Sequence, residues 1–256
     1  MSPEHRPVIV VVAGPNGSGK TSLTQDLRLH KWVTEEGCVY VNPDDIAENV
    51  FGDWNSREAV LNAAKEADRI REECLAQGKS LVFETVMSTD NKVDFLRRAK
   101  AAGYFIRLFF VSTDSPTINA ARVAQRVTEG GHTVPIDKII SRYSKSIVNC
   151  AVVAQFIDRT YVYDNSVNAQ KATRLFRAVE GTLYRVYEAE INEWAQIVLD
   201  TLECHYKGNL GRDENLSKSI KEKAKKSQPT SSFHRDEGDE GDRTQNLINP
   251  ASGSSL

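Results

Sequence analysis

Cysteine is sparse in this chain of 256 residues: four, at Cys38, Cys74, Cys150 and Cys204, lie far apart and form no C-x-x-C pair. That spacing speaks against a zinc site or a disulfide frame and suits small core hydrophobes of a reducing compartment. Long apolar runs are missing too. None approaches the ~18 residues of a membrane span, and the start, MSPEHRPVIV, lacks the basic-then-apolar pattern of a secretory leader. The expectation is a cytoplasmic protein with no membrane partner. Net charge is only −2, and a nucleic-acid-binding domain usually shows a basic face, so a polynucleotide partner is disfavoured. No internal repeat is evident.

What is present is an ordinary globular composition, 40% hydrophobic and 27% charged, fitting one large α/β domain and a tail. Its strongest stretch is Val8 to Thr24. A β-branched apolar run enters Gly14-Pro15-Asn16-Gly17-Ser18-Gly19-Lys20-Thr21, which matches G-x-x-x-x-G-K-[ST] at every fixed position. The glycines let successive N–H groups turn inward on phosphate oxygens, and the following helix adds its positive end. Lys20 supplies a mobile charge for the β- and γ-phosphates, and the Thr21 hydroxyl a ligand for Mg²⁺. Gly14 to Thr21, with Ser22 beyond, form the expected nucleotide site. The motif implies a nucleoside triphosphate and Mg²⁺, without separating kinase, ATPase and GTPase.

Along the chain, the P-loop helix is expected to run to about His30, and a strand to span Cys38 to Val41. Helix follows from Ser56 to Gln77, strand from Ser80 to Val86, helix from Asp90 to Ala102, and strand from Tyr104 to Val111. Helices over Ser115–Val127 and from Pro135 to about Phe156, then a strand over Thr160–Tyr163, complete the alternation. A last helix, Ala169 to Glu203 with a break near Gly181, is expected to dock through Trp194, Ile197, Val198 and Leu202. The fold class is thus a P-loop three-layer α/β/α sandwich on a mostly parallel five-stranded sheet. Residues 1–208 form the domain. Residues 209–256, basic then acidic then polar, read as a disordered tail, either a partner-binding arm or a solvated extension.

Ligands of such sheets collect at the carboxyl ends of the strands. Asp44, after the second strand, is a candidate base for an attacking hydroxyl; alternatively Asp44 or Asp45 caps a helix. Glu84, ending an apolar strand, either binds substrate hydroxyls or holds the Mg²⁺ shell, with Thr85 and Ser88 as minor donors. Arg122 and Arg126 share a helix face before Gly130-Gly131 and suit a lid that closes on the triphosphate, or a solvated face. Lys138, Arg142 and Lys145 form a second basic face, fit for a diphosphate-bearing substrate or for water. His132 reads as structural. Asp164-Asn165-Ser166 either touches the base or forms an Asx turn.

GPNGSGKT, NPDD, FET, the paired arginines, GGHTVP and RYSKS, in that order over about residues 7 to 200, resemble the zeta toxin family of P-loop kinases, in its chromosomal zeta-like subgroup. The resemblance implies transfer of phosphoryl from ATP or GTP to the 3′-hydroxyl of the sugar in UDP-N-acetylglucosamine. It implies Lys20 and Thr21 as phosphate and Mg²⁺ residues, Asp44 as base and Glu84 as substrate-binding carboxylate. Arg122 or Arg126 matches the first lid arginine and Arg142 the second. Any antitoxin is expected as a separate chain. A kinase for another small metabolite or for a polynucleotide 5′-end, and a nucleotide-dependent protein-binding module, are the alternatives; the module has no need of a base at Asp44.

Overall fold

The computed structural model describes residues 6–29, 31–51, 56–130 and 134–203. Residues 131–133 with Gly131 and His132, Cys204 and the tail 209–256 lie outside these. The strands are β1 (Val8–Ala13), β2 (Val39–Val41), β3 (Leu81–Thr85), β4 (Phe105–Ser112), β5 (Arg159–Asp164), β6 (Thr173–Val179) and β7 (Thr182–Val186). They form one sheet in the order β2-β3-β1-β4-β5-β6-β7. The first five are parallel, as expected from strands joined by long helical connections.

Seven strands replace the expected five, because the segment read as a helix from Ala169 is an antiparallel hairpin, β6–β7, added to the β5 edge. Its two-residue turn is Glu180-Gly181, at φ 49° and 74°. Left-handed conformation at both positions is what a tight hairpin with right-twisted strands requires. Only Glu193–Leu199 remains helical, as α8. It docks through Trp194 and Val198, with Leu202 just beyond it, while Ile197, expected on that face, is 49% exposed.

The other helices are α1 (Lys20–Asp26), α2 (Lys31–Thr34), α3 (Pro43–Asn49), α4 (Arg57–Ala76), α5 (Asp90–Ala101), α6 (Pro116–Thr128) and α7 (Ile136–Ala154). The P-loop helix ends four residues short of His30, and the chain turns there through Arg28 at φ 53°. Helices α4, α5, α7 and α8 cover one face of the sheet, where Ile9, Phe83, Leu108, Phe110 and Phe176 are buried with Leu96, Ile147 and Trp194. On the other face Leu23 of α1 packs on Val111 and Tyr163, and α2 packs on Val10 and Val82. Strand β1 has helices on both sides and no exposed surface from Ile9 to Ala13. Each such side chain contributes about 1.5–3 kcal/mol of burial, so the P-loop hangs from the best-anchored strand. Cys38, Cys74 and Cys150 are free and buried, as their scatter predicts.

Helix α7 fixes the strand ends that face the P-loop. The Tyr143 hydroxyl donates to the Thr113 carbonyl at 2.6 Å, Ser146 Oγ to the Val86 carbonyl at 2.6 Å, and Asn149 Nδ2 to the Met87 carbonyl at 2.9 Å. At the opposite end of the sheet, buried Asp158 accepts from the Ile106 amide at 2.9 Å and pairs with Lys100 at 2.8 Å and Arg6 at 3.2 Å. No helix among the described residues is long and apolar enough to cross a membrane.

Candidate active site

The loop between β1 and α1 is packed so tightly that its glycines have no substitute. A Cβ on Gly17, at φ 76°, would stand 2.5 Å from the Asn119 carbonyl oxygen. One on Gly14 would run into the Val111 carbonyl. Asn165, from the end of β5, closes the cradle by donating its Nδ2 to the Ser18 carbonyl at 2.8 Å. Two buried donors are left over inside, Ser18 Oγ and Arg122 Nη1, which have no protein partner, beside one buried acceptor, Asn16 Oδ1. An orphaned buried donor costs about 1–3 kcal/mol unless a ligand satisfies it. Donors around a strand-to-helix turn that excludes side chains fit a polyphosphate.

Lys20 folds back over the loop, its Nζ donating to the Gly14 and Pro15 carbonyls at 3.1 Å each. Burial holds its ammonium below the usual lysine range; the Glu84 and Asp44 charges oppose that shift, and Arg126 adds to it. Asp44 and Arg126 therefore act electrostatically on the P-loop lysine, although they come from α3 and α6.

Glu84 is the hub. The β1–β3 register sets Val12 beside Glu84 and Ala13 beside Thr85, which brings the carboxylate to the base of the P-loop. It is 5% exposed, accepts from Thr24 Oγ1 at 2.8 Å and Tyr40 OH at 3.4 Å, and stands 3.5 Å from Thr21 Oγ1. Burial raises its pKa, against the Thr24 hydrogen bond and the Lys20 charge, and Asp45 and Asp44 push it the same way as burial. Tyr40 in turn has its phenol pKa raised by burial and by the Glu84 charge. Thr24 and Tyr40 escape a motif reading; the available clue is that Thr24 lies one helical turn past Thr21, on the same face.

The helix after Asn42 is capped by Asn42 itself, whose Oδ1 accepts from the Asp44 amide at 3.0 Å, with Pro43 in the first helical position. Neither aspartate is needed as the cap. Asp44 and Asp45 are both exposed at the helix start, and partial desolvation, with the Asp44 and Glu48 charges, raises the Asp45 pKa.

The two arginines of α6 diverge. Arg122 Nε donates to Asn168 Oδ1 at 2.9 Å, and burial lowers its pKa against the Asp164 charge. It lines a hollow of about 280 Å³ with Gly17, Gly19, Ser22, Asp26 and Asn165. Arg126 is the one whose charge reaches Lys20. Asp164-Asn165-Ser166 forms the Asx turn, one of the two readings the sequence leaves open, and adds a contact to the P-loop that neither reading names. Asp164 accepts from the Ser166 amide and hydroxyl at 3.1 and 2.7 Å in an Asx turn, while Asn165 holds the P-loop.

Thr85 is occupied structurally: its carbonyl accepts from the Gly14 amide at 3.2 Å and its Oγ1 from the Met87 amide at 3.1 Å. Ser88 lines a second hollow, of about 510 Å³, with Thr89, Asp90, Ser144, Lys145 and Asn149, between α7 and the loop that follows Glu84. Arg142 is half-buried beside Tyr143, and among the described residues no hydrogen bond or ion pair joins it to Lys20 or Glu84. No cluster of three His, Cys, Asp or Glu side chains fit for a metal occurs among the described residues. A hydroxyl and a carboxylate 3.5 Å apart are a donor pair that fits Mg²⁺, which takes one or two protein groups together with phosphate oxygens and waters. Thr21 and Glu84 are the pair so placed.

The family model described as Zeta toxin matches residues 1–178. A Haemophilus influenzae protein described only as uncharacterized is 25% identical over 134 residues, which are 52% of this chain and 91% of that one. Among solved structures, the AvrRxo1-ORF1:-ORF2 complex with ATP is 18% identical, with a TM-score of 0.56 over 82% of this chain and 68% of that one. The PezAT chromosomal toxin-antitoxin system of Streptococcus pneumoniae is 14% identical, with a TM-score of 0.49 over 87% and 88% of the two chains. At such identity the likeness is one of fold.

Proposed function

This chain belongs to the zeta toxin family, and from that premise we propose that it transfers the γ-phosphoryl group of ATP or GTP to a hydroxyl of a small nucleotide-linked sugar such as UDP-N-acetylglucosamine. The observation that carries the reading is the convergence at the carboxyl ends of three adjacent strands. Lys20 and Thr21 follow β1, Glu84 ends β3 and Asp44 follows β2, with Lys20 under the field of both carboxylates.

Each group has a distinct task. The P-loop amides and Lys20 hold the β- and γ-phosphates, and Lys20 leaves its two carbonyls to do so. Thr21 and Glu84 would hold Mg²⁺, which when bound would neutralise charge on the phosphates. Asp44 accepts the proton of the attacking hydroxyl and aims its oxygen at the γ-phosphorus, a role that needs an accessible carboxylate free of capping duty. Arg126 stabilises charge on the transferring group. Arg122, held by Asn168, serves the nucleoside end. The hollow between α7 and the loop after Glu84 suits the acceptor, with Lys145 at its wall and Arg142 nearby on the same helix. A separate antitoxin chain is the proposed protein partner, in keeping with the family and with the two-component AvrRxo1-ORF1:-ORF2 complex among the structural neighbours.

The test is mass spectrometry of UDP-N-acetylglucosamine incubated with protein, ATP and Mg²⁺. We expect a gain of one phosphoryl group, abolished in Lys20→Ala and lowered about 10²–10⁴-fold in Asp44→Asn. Nucleotide binding without a product would overturn the acceptor assignment. Turnover undiminished in Asp44→Asn would overturn the base.

A further inference from the structure

One face of the sheet carries a concentration of charge that the phosphoryl-transfer site does not use. The apolar clusters on the α1 and α2 side end at Phe109, Tyr161 and Tyr163. Helix α2 reaches as far as Arg107, which lies 5.2 Å from the Trp32 ring, and outward of it, among the described residues, arginines take the place of a covering helix. Register puts Arg107 of β4 opposite Arg159 of β5, Tyr161 opposite Arg177 of β6, Tyr163 opposite Arg174, and Arg177 opposite Arg185 of β7. All five arginines therefore share one face, with two like-charged pairs directly opposite across strands, an arrangement that destabilises a sheet.

They lie on aromatic rings. Arg107 and Arg159 are 5.0 and 5.7 Å from the Phe105 centroid, Arg177 is 4.0 Å from that of Tyr184, and Arg174 is 4.1 Å from that of Tyr187. None of the five pairs with a carboxylate among the described residues. Arg107 Nε and Arg177 Nε are buried without any hydrogen-bond partner, and Tyr184 is 59% exposed. The rings fix the guanidinium planes; Arg159 Nη1 donates to the Asp158 carbonyl at 3.0 Å, while the exposed Arg174 and Arg185 present N–H groups to an anion.

We infer that this face is a docking surface for the acidic stretch Asp236-Glu237-Gly238-Asp239-Glu240-Gly241-Asp242 of the same chain, which sets five carboxylates against the five arginines. The described chain ends beside the face: Glu203 bridges to Thr182 of β7, and its carbonyl accepts from the Leu183 amide at 2.9 Å. Treated as a random chain, a connection of about 30 residues reaches about 30 Å, whereas four adjacent strands span only about 14 Å. Tethering at an effective concentration of about 1 mM turns a weak local affinity of about 0.1 mM into occupancy near nine-tenths. The inference does not depend on the kinase reading.

The test is competition for the face by an external polyanion, a fluorescent single-stranded oligothymidylate at about 50 mM salt. Three full-length forms are compared: the wild type, a variant with the five carboxylates converted to amides (D236N/E237Q/D239N/E240Q/D242N), and that variant with the exposed Arg174 and Arg185 also changed to Gln. The inference expects the neutral tail to raise oligonucleotide affinity about tenfold and the arginine changes to cancel the gain. A gain that survives loss of the arginines would come from lysines of the tail and would overturn it. Equal affinity with and without the acidic charges would overturn it as well, whether that affinity is tight, as for a nucleic-acid platform, or negligible. Circular dichroism of all three forms guards against misfolding.

Discussion

Replacing Glu84 by Gln separates what this carboxylate does for the fold from what it does for the chemistry. In the wild type a buried charge is supported by Thr24 at 2.8 Å, Tyr40 at 3.4 Å and the nearby Lys20 ammonium. A hydrogen bond to a charged group contributes about 1.5–3 kcal/mol against about 0.5–1.5 for a neutral one, so the amide loses about 1 kcal/mol at the short Thr24 contact and less at Tyr40. Against this, neutralising the group removes a desolvation cost large enough to raise its pKa despite the Thr24 hydrogen bond and the Lys20 charge. The two effects nearly cancel. Stability should stay within about 1 kcal/mol, or about 2–4 °C in Tm, while phosphoryl transfer falls about 10²–10³-fold, as expected when one preorganised electrostatic group is lost.

The pH dependence carries a sign. A carboxyl group with its pKa raised by folding binds its proton more tightly in the native state, so its burial is least costly below the unfolded value of about 4.3 and most costly above the folded value. The stability of the wild type relative to Glu84→Gln should therefore rise as pH falls through that window. The measurements are thermal unfolding across pH and turnover at pH 7. A large loss of Tm with activity falling only in proportion would refute the assignment and make Glu84 a structural residue.

Gly17→Ala should destabilise the chain by about 1–3 kcal/mol and abolish nucleotide binding, read by calorimetry, because a Cβ there needs both a left-handed backbone and 2.5 Å to the Asn119 carbonyl. Asn168→Ala should raise KM for the nucleotide about 5–10-fold with kcat little changed, since it frees Arg122 at the nucleoside end; a fall in kcat alone would place Arg122 on the transferring phosphate instead. Asp158→Asn should cost at least about 2 kcal/mol near pH 7, because it leaves Lys100 and Arg6 facing an uncharged partner. The Asp158 carboxyl, although burial alone would raise it, is held below its ordinary range by Lys100, the Ile106 amide and Arg6. Its contribution is present above about pH 4 and is lost as pH falls through the depressed value, so denaturation curves of the two proteins should converge in acid.

The parallel half of the sheet was legible because each of its strands is a short apolar run bounded by turn residues, and the P-loop because its glycines sit at fixed spacing. The hairpin was not. Leu175, Ala178, Val179, Leu183 and Val186 recur at helical intervals as well as along strands, and bulges at Val162/Tyr163 and Arg177/Ala178 blur the strict alternation. The Glu-Gly turn was the available sign. At the site, the types of residue were readable but not their pairing. That Glu84 meets Thr24 follows from the β1–β3 register, and that Arg122 meets Asn168 follows from a loop folding back across 46 positions. Neither leaves a trace in local pattern. The cap at Asn42 was within reach, since Pro43 behind it marks the first helical position.

The bond from Asn165 to the Ser18 carbonyl spans 147 positions of sequence. The contact that closes the phosphate cradle thus joins the loop after the first strand to the end of the fifth, and it forms only when those two segments have docked. A shortened or nascent chain would display every signature residue of the loop and still lack its closing contact. The two ends of the parallel sheet's chain path are thereby tied at the phosphate site, so a change that loosens the carboxyl end of β5 is felt in the loop after β1.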